Sequence, residues 1–503
     1  GLSCVQGLEV VPSGSILYIQ PAGKGNRSGR DPIQQLARQT GAGTIVSGAY
    51  YLEADSLRFQ ARIDDVAHGR LLMALAPATC ARGAPLQAID ALRQRVMGAV
   101  AARLESVHEM GTQQQPPRYD AYCEFIAGFE IFETDEREGL KHFQRASALD
   151  RDFLPPLFYE AYLLDRLGDH ARVGEILRTL SEQREDLLPF GRQWLDVMLA
   201  YASHRYPEAL QHARLALRKA PGDPMTTLWV GFMAAVSNRP REVIETFRRF
   251  GPRPYPDQQL GANWMVHLCG ALHRLGEHRR ELDEAHRARV QYPAQADLWE
   301  IEADALAALG RVRELNRLVD ERLLATPAGG APEDMMLEAA DELRAHGRRE
   351  ASIGLANRVL SRFRSRPPAG GEEDSLAGLV QALRRAERWS EAAATCRALA
   401  ARLPQNPDYL GMLGALEARL GRRDEAARID EELRALKDPY LFGAHTFRRA
   451  CIAALLGDRM RAVDLLRTSL AEGKPFGVAI HREMDLETLW DYGPYQALMR
   501  PQG

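Results

Sequence analysis

The sequence predicts a mainly α chain, a solenoid of about ten antiparallel helix pairs preceded by a small α+β domain. Three observations carry this. Alternation of apolar and polar residues with period two, the mark of a half-buried strand, is confined to the first 110 or so residues. From about residue 118 the chain breaks into helical segments of about 12 to 16 residues, separated by Gly, Asn or Pro turns. Within those segments a mostly small residue recurs at a step close to 34, a length that suits one helix-turn-helix unit.

Composition sets the frame. A chain of 503 residues is too long for one compact core and suits several domains or a solenoid. With 45% hydrophobic and 26% charged residues it can bury a packed interior along most of its length. A net charge of -3, without blocks of like charge, argues against wholesale attraction to nucleic acid or to an anionic membrane. The cationic residues are almost all Arg; the only lysines are Lys24, Lys141, Lys219, Lys437 and Lys474. Six cysteines stand far apart without a CxxC, so neither a zinc knuckle nor a disulfide framework is indicated. No stretch is long and apolar enough to span a bilayer, and the first residues lack the charged and apolar regions of a signal peptide. The chain opens without Met, so Gly1 is expected to be a cut within a longer protein or a processed end, with any membrane anchor or partner domain upstream.

The amino-terminal elements follow in order. LEVV at 8–11 has strand character, a Gly- and Ser-rich loop covers 21–30, and a short helix is expected over 32–41. Three strand-like runs follow at 44–53, 56–66 and 70–78, which read as a meander. A helix over 85–106 closes the unit, its Leu86, Ile89, Leu92, Val96 and Val100 spaced to cover one face of the sheet. The succession from Gln35 to Leu72 resembles the TolB amino-terminal-like domain, most closely at Gly43 to Gly48 and at Ala61 to Gly69, where Ile63 and Val66 replace the usual Leu and Ala. That family's first strand and helix would precede 8–11 and are missing.

The helical part is similar to tetratricopeptide repeats. The stretch from Tyr409 to Leu433 carries Leu413 and Gly414 in a first helix, Leu420 and Gly421 at a turn, and Ala426 in a second helix. Aligning the place where two helices cross gives 139, 173, 209, 243, 281, 315, 351, 392, 426 and 462. Glu281 is the exception in residue type, copy seven reads one residue short at its turn, and 366–374 reads as a loop and a joint. The resemblance implies a right-handed superhelix of about ten pairs. It divides the chain into an α+β domain at 1–110, a solenoid at 111–476 and a capping segment at 477–503, where Leu486, Leu489, Trp490, Tyr492 and Tyr495 would cover the last pair.

No catalytic apparatus is visible. GKGNRSG at 23–29 lacks the Ser or Thr that must follow the Lys of a phosphate loop, and the HRD, DFG, HExxH and GxSxG patterns are absent. Histidines at 267, 273, 278 and 286 cluster in sequence, but His267 and His273 point to different helix faces, so no metal and no cofactor are expected. Glu302 and Asp304, two apart on a helix, do not face each other.

The expected function is therefore binding. In tetratricopeptide proteins the first helix of each pair lines a concave face. The resemblance places Phe158, Tyr162, Trp194, Tyr201 and Phe232 there, followed by Asn263, His273, Arg274, Asp297, Glu300 and Asp304. An apolar groove beside a partly acidic one suits a protein or peptide ligand with hydrophobic anchors and a basic residue. The alternative, equally open at this point, is that several of the aromatics pack between helices. The order of domains resembles the C-terminal sensor or scaffold region of bacterial membrane-bound serine/threonine kinases. That implies an upstream kinase domain and a place outside the cytoplasmic membrane, with the cytoplasm as alternative. Adenylate cyclases, winged-helix regulators and a stand-alone assembly scaffold are the other architectures this arrangement fits.

Overall fold

The computed structural model describes residues 37–502 apart from 39, 67, 105–115, 133–134, 222, 251–257, 326–329 and 366–371. The expected strand at 8–11, the loop at 21–30, most of the helix at 32–41 and most of the joint at 366–374 lie outside the described residues. The chain forms two compact units, residues 1–198 and 199–503, which part inside the helix Pro189–Ala202.

In the first unit, β1 (Thr44–Glu53) and β2 (Ser56–Asp65) form a hairpin in register from Thr44 opposite Asp65 to Glu53 opposite Ser56. The run expected as one strand at 70–78 is two. β3 (Arg70–Ala74) pairs with one end of β2 and β4 (Ala78–Ala81) with the other. Pro77 between them has no N–H to give to a ladder, which breaks the strand. Helix α1 (Pro85–Leu104) covers the sheet through Leu92, Val96, Ala99 and Val100 against Ile63 and Leu75. Leu86 and Ile89, expected on the same face, are exposed. A groove of about 470 Å³, lined by Val46, Tyr50, Phe59, Ile89 and Val96, separates that end of the helix from the hairpin. The other side of α1 meets the first repeat: a Cβ on Gly98 would lie 1.9 Å from the Pro117 carbonyl, and Arg95 donates to Asp150 at 2.6 Å.

Ten helix pairs follow among the described residues. They are α2 (Tyr119–Ile131) with α3 (Glu136–Leu149), α4 (Pro155–Arg166) with α5 (His170–Glu182), and α6 (Pro189–Ala202) with α7 (Tyr206–Lys219). Next come α8 (Pro224–Val236) with α9 (Pro240–Phe250), α10 (Gln258–Arg274) with α11 (His278–Gln291), and α12 (Ala296–Ala308) with α13 (Val312–Leu324). The last four are α14 (Pro332–Ala345) with α15 (Arg349–Ser365), α16 (Glu372–Arg385) with α17 (Trp389–Arg402), α18 (Pro407–Arg419) with α19 (Arg423–Ala435), and α20 (Ala444–Leu455) with α21 (Arg459–Ala471). A short helix α22 (Val478–Arg482), a 3-10 turn (Met484–Leu489) and α23 (Gly493–Met499) end the chain.

One turn joins the two helices in every pair from the second to the tenth. A residue with positive φ ends the first helix, and the next amide reaches back to a carbonyl in its last turn, as Asp169 does to Leu164 at 2.8 Å and Arg422 to Glu417 at 2.9 Å. Glycine fills the left-handed place at Gly168, Gly276, Gly310, Gly347, Gly421 and Gly457, where L side chains are strained. His204, Asn238 and Glu387 occupy it in the other three. The buried crossing residue always lies five positions later: Val173, Ala209, Val243, Glu281, Leu315, Ala392, Ala426 and Ala462 are all buried.

Copy seven obeys the same rule, so it is not a residue short. Its crossing residue is Ser352, 1% exposed, rather than the half-buried Ala351. The Ser352 amide donates to the Arg348 carbonyl at 3.0 Å, as Ala392 does to Arg388 at 2.9 Å. The buried apolar cluster also continues past 366–371, joining Val359 and Leu360 to Val380 and Leu383. The Ser352 hydroxyl is buried with no hydrogen-bond partner among the described residues. Ser352→Ala is therefore expected to leave the melting temperature unchanged or to raise stability by about 1 kcal/mol, because an unpaired buried hydroxyl disappears. A clear loss in a circular-dichroism melt would contradict this assignment.

Candidate functional site

The aromatic residues expected in a groove are mostly interior. In the first unit Phe158 is 2% and Trp194 4% exposed, and Trp194 stacks on Phe190 at 6.2 Å. Tyr162 is half-buried, edge-on to Phe132, with Arg166 over its ring. In the second unit Tyr201, 7% exposed, and the half-buried Phe232 both pack on Trp229, and Phe232 stacks on His267 at 5.4 Å. Burial pushes His267 down to about 4, so this ring is a neutral member of an apolar cluster.

The polar residues expected in the groove have a different fate. In the second unit the first helices of successive pairs present charged residues to one inner face, and the chain's own C-terminal segment lies along it. The Phe476 amide donates to the Val236 carbonyl at 3.0 Å, and Arg274 sits 4.8 Å over the Phe476 ring. Arg274 also donates to the Ala235 carbonyl and to Asn238, and burial holds it down to about 10. Arg482, 7% exposed, donates to Asp304 at 2.6 Å and to Glu338 at 2.8 Å. Asp485, 1% exposed, accepts from Arg384 at 2.5 Å and from Arg419 at 3.0 Å. Glu487 accepts from Arg344 and Arg419, both at 2.9 Å. The segment thus runs from carboxylates on α12 and α14 to guanidiniums on α14, α16 and α18. Burial opposes ionisation of Asp485, but the two guanidiniums hold its carboxyl below the usual range.

Apolar residues complete the seat. Ile480, Leu486, Leu489, Tyr495 and Met499 form one buried cluster with Phe447, Ala450 and Leu466 of the last pair, with Trp490 and Tyr492 packed against it. Two of the three strained turn residues hold the same region. The Asn238 carbonyl accepts from the Gln502 amide at 2.8 Å, and its side chain donates to the Arg500 carbonyl at 2.9 Å. His204 stacks on Phe442 at 3.6 Å and hydrogen-bonds the Gly473 carbonyl at 3.1 Å. The second unit therefore closes on itself.

The acidic stretch continues beyond Arg482. Burial, and then the carboxylates of Glu338, Asp297, Asp304 and Asp334, push Glu300 up to about 8, and Asp334 is raised by burial and then by the carboxylates of Glu338 and Glu333. Asp297 is exposed, Glu300 half-buried and Asp304 buried, while Asn263 is half-buried on α10.

His273 is 9% exposed and lies between two buried carboxylates, with Nδ1 at 3.0 Å from Glu281 and Nε2 at 3.3 Å from Glu342. His278 Nδ1 is 3.0 Å from Glu281 and His346 Nε2 is 2.8 Å from Glu342. Against the cost of burial, the two carboxylates push His273 up to about 10. The sequence reading set His267 and His273 on different helix faces and expected no metal; the turn between α10 and α11 brings His278 beside His273. The missed residues left a trace, since Glu281 breaks the rule of the crossing position and Arg recurs near the end of first helices at Arg274, Arg344, Arg384 and Arg419.

No protein-family model matches the chain, and no curated protein matches it. Solved structures do. A tetratricopeptide repeat protein from Parabacteroides merdae is 12% identical, over 59% of this chain and 98% of its own, with a TM-score of 0.30. The TPR domain of P58(IPK) is 14% identical, over 70% and 99%, with a TM-score of 0.21. A monomeric mutant of IFIT1 solved with Gppp-AAAA is 11% identical, over 67% and 81%, with a TM-score of 0.30. At such scores the helix-pair architecture rests on this chain's own turns and crossings.

Asp485→Asn is expected to lower the stability of the chain by about 3 kcal/mol, since it leaves the buried Arg384 guanidinium with only Glu483 at 3.4 Å and takes from Arg419 one of its two carboxylates. Urea denaturation reads this as a shift in midpoint; an unchanged midpoint would show that the segment is not seated by these pairs.

Proposed function

We propose that this chain is a non-catalytic protein- or peptide-binding scaffold, and that the inner face of its second unit is the binding surface. The observation that carries the reading is the seat of Phe476–Leu489, where a stretch of polypeptide made of one short helix and a 3-10 turn is held by a stacked ring, a buried Arg and two buried or half-buried carboxylates. A surface that holds one such stretch has the chemistry for another with the same order of groups. The ligand class that follows is a peptide with a hydrophobic anchor and a basic residue, the latter directed to Glu300, Asp334 and Glu338. On this reading the region serves a bacterial signalling protein as its sensor or scaffold part, coupled to an upstream serine/threonine kinase domain and placed outside the cytoplasmic membrane. The support for that wider context is the sequence resemblance in the α+β domain and in the order of domains.

The acidic stretch gives the test its sign. Glu300 is mostly protonated near neutral pH and ionises through about 8, and a cationic ligand prefers the ionised form. Affinity for a synthetic peptide of residues 476–489, added in trans and measured by calorimetry, is expected to rise by about tenfold between about pH 7 and about pH 9. Glu300→Gln removes that rise. A flat pH profile in the parent chain would exclude Glu300 from recognition, and no binding at either pH would remove the scaffold reading of this face.

A further inference from the structure

The cluster around His273 has a geometry that peptide binding does not use. Three potential ligand atoms, on His273, His278 and Glu281, lie within 4.8 Å of one another. The two His Nδ1 atoms are each 3.0 Å from a Glu281 oxygen. Ligand bonds of about 2.0–2.2 Å in a tetrahedron put donor atoms about 3.4 Å apart, so a small side-chain adjustment admits an ion between them. The outer contacts fit as well. With Nδ1 of His273 turned to an ion, its Nε2 carries the proton and donates to Glu342, the carboxylate-histidine-metal relay that fixes tautomer and ring orientation. His346 in turn holds Glu342 at 2.8 Å, and its ring lies edge-on to His278 at 5.1 Å.

The positions are also chemically uneconomical for a purely structural role. Eight of the nine crossing residues that follow a left-handed turn are Ala, Val, Leu or Ser, and only Glu281 carries a charge there, 1% exposed. A carboxylate at the tightest point of a helix pair is stabilised by cations that reach it, and two histidines converge on it.

We propose that His273 Nδ1, His278 Nδ1 and the Glu281 carboxylate form a site for a divalent transition-metal ion of the zinc class, with Glu342 as the positioning residue of His273 and a remaining ligand place for water or a ligand atom. Two histidines with one carboxylate suit zinc in geometry and in donor type. The site joins α10 and α11 to α14, and Glu342 lies 3.8 Å from Arg482, so occupancy bears on the charge that seats the C-terminal segment.

The test uses the whole chain, stripped with a chelator and titrated with Zn2+ by calorimetry, with Co2+ absorption as the spectroscopic check. One ion per chain is expected, with visible Co2+ bands of nitrogen and oxygen ligation and no thiolate charge-transfer band, which separates this site from the exposed Cys123. Glu342→Gln is expected to weaken binding roughly 10- to 100-fold, and His278→Ala to abolish it while the helical signal persists. If His278→Ala does not fold, the Glu342→Gln affinity decides. Absence of one-to-one binding in the parent chain, or equal affinity in Glu342→Gln, or loss of binding in Cys123→Ser, overturns the proposal and leaves a proton-shared network of histidines and carboxylates.

Discussion

The left-handed turn between paired helices is the constraint on which the rest depends. It fixes the crossing residue five positions later, and with it the distance and direction from each first helix to the next. Within the second unit the same spacing recurs from pair to pair, and charged residues near the ends of its first helices accumulate on one inner face. Three turns place His, Asn or Glu where glycine is the unstrained choice, a cost of order 1–3 kcal/mol each. Each uses its side chain for a distant tie: His204 and Asn238 to the C-terminal region, Glu387 to Arg344 and Arg349. Strain in the turn is offset by closure of the unit.

That closure depends on buried charge. Arg482, Arg384 and Asp485 are each less than 8% exposed, and isolated charges at such depth would cost several kcal/mol. Pairing offsets most of that cost without adding much net stability. What it adds is register, since a shift of the C-terminal segment by one residue would put Met484 or Leu486 in the place of Asp485 and leave the guanidiniums without their carboxylates. The apolar cluster around Leu486 and Leu489 supplies the attraction, and the ion pairs decide where the segment stops.

Much of the fold was legible in sequence because antiparallel helix pairs joined by a tight turn are local objects. The first helix, turn and second helix of one copy lie within about 34 residues, and turn chemistry and apolar spacing identify them. The site was less legible. On an α-helix the inner face and the pair interface are separated by about 100°, a single residue step, so Phe158, Trp194 and Tyr201 read equally well as groove or core. Burial assigns them to the core. Arg274 and Asp304 were placed toward the inner face from the same register, but nothing local says what meets them. Glu281 stood out as an acidic residue at a small-residue position, and its reason appears only when His273 and His278 fold against it. The split of the third strand followed from Pro77, whose missing donor outweighed the β-pattern around it.

The sequence by itself determined the helix pairs, their turns, their number and the small antiparallel sheet ahead of them, because each is decided by residues close together in the chain. Only the tertiary structure decided what the inner face of the second unit contains. Arg482 meets Asp304 across 178 residues, and Asp485 meets Arg384 across 101. Such pairings depend on the summed rotation from one pair to the next, a quantity spread over the whole array and carried by no single motif. The same summation brings Glu342 of α14 onto His273 of α10, about seventy residues away in sequence, whereas His278 and Glu281 reach that histidine through the local turn.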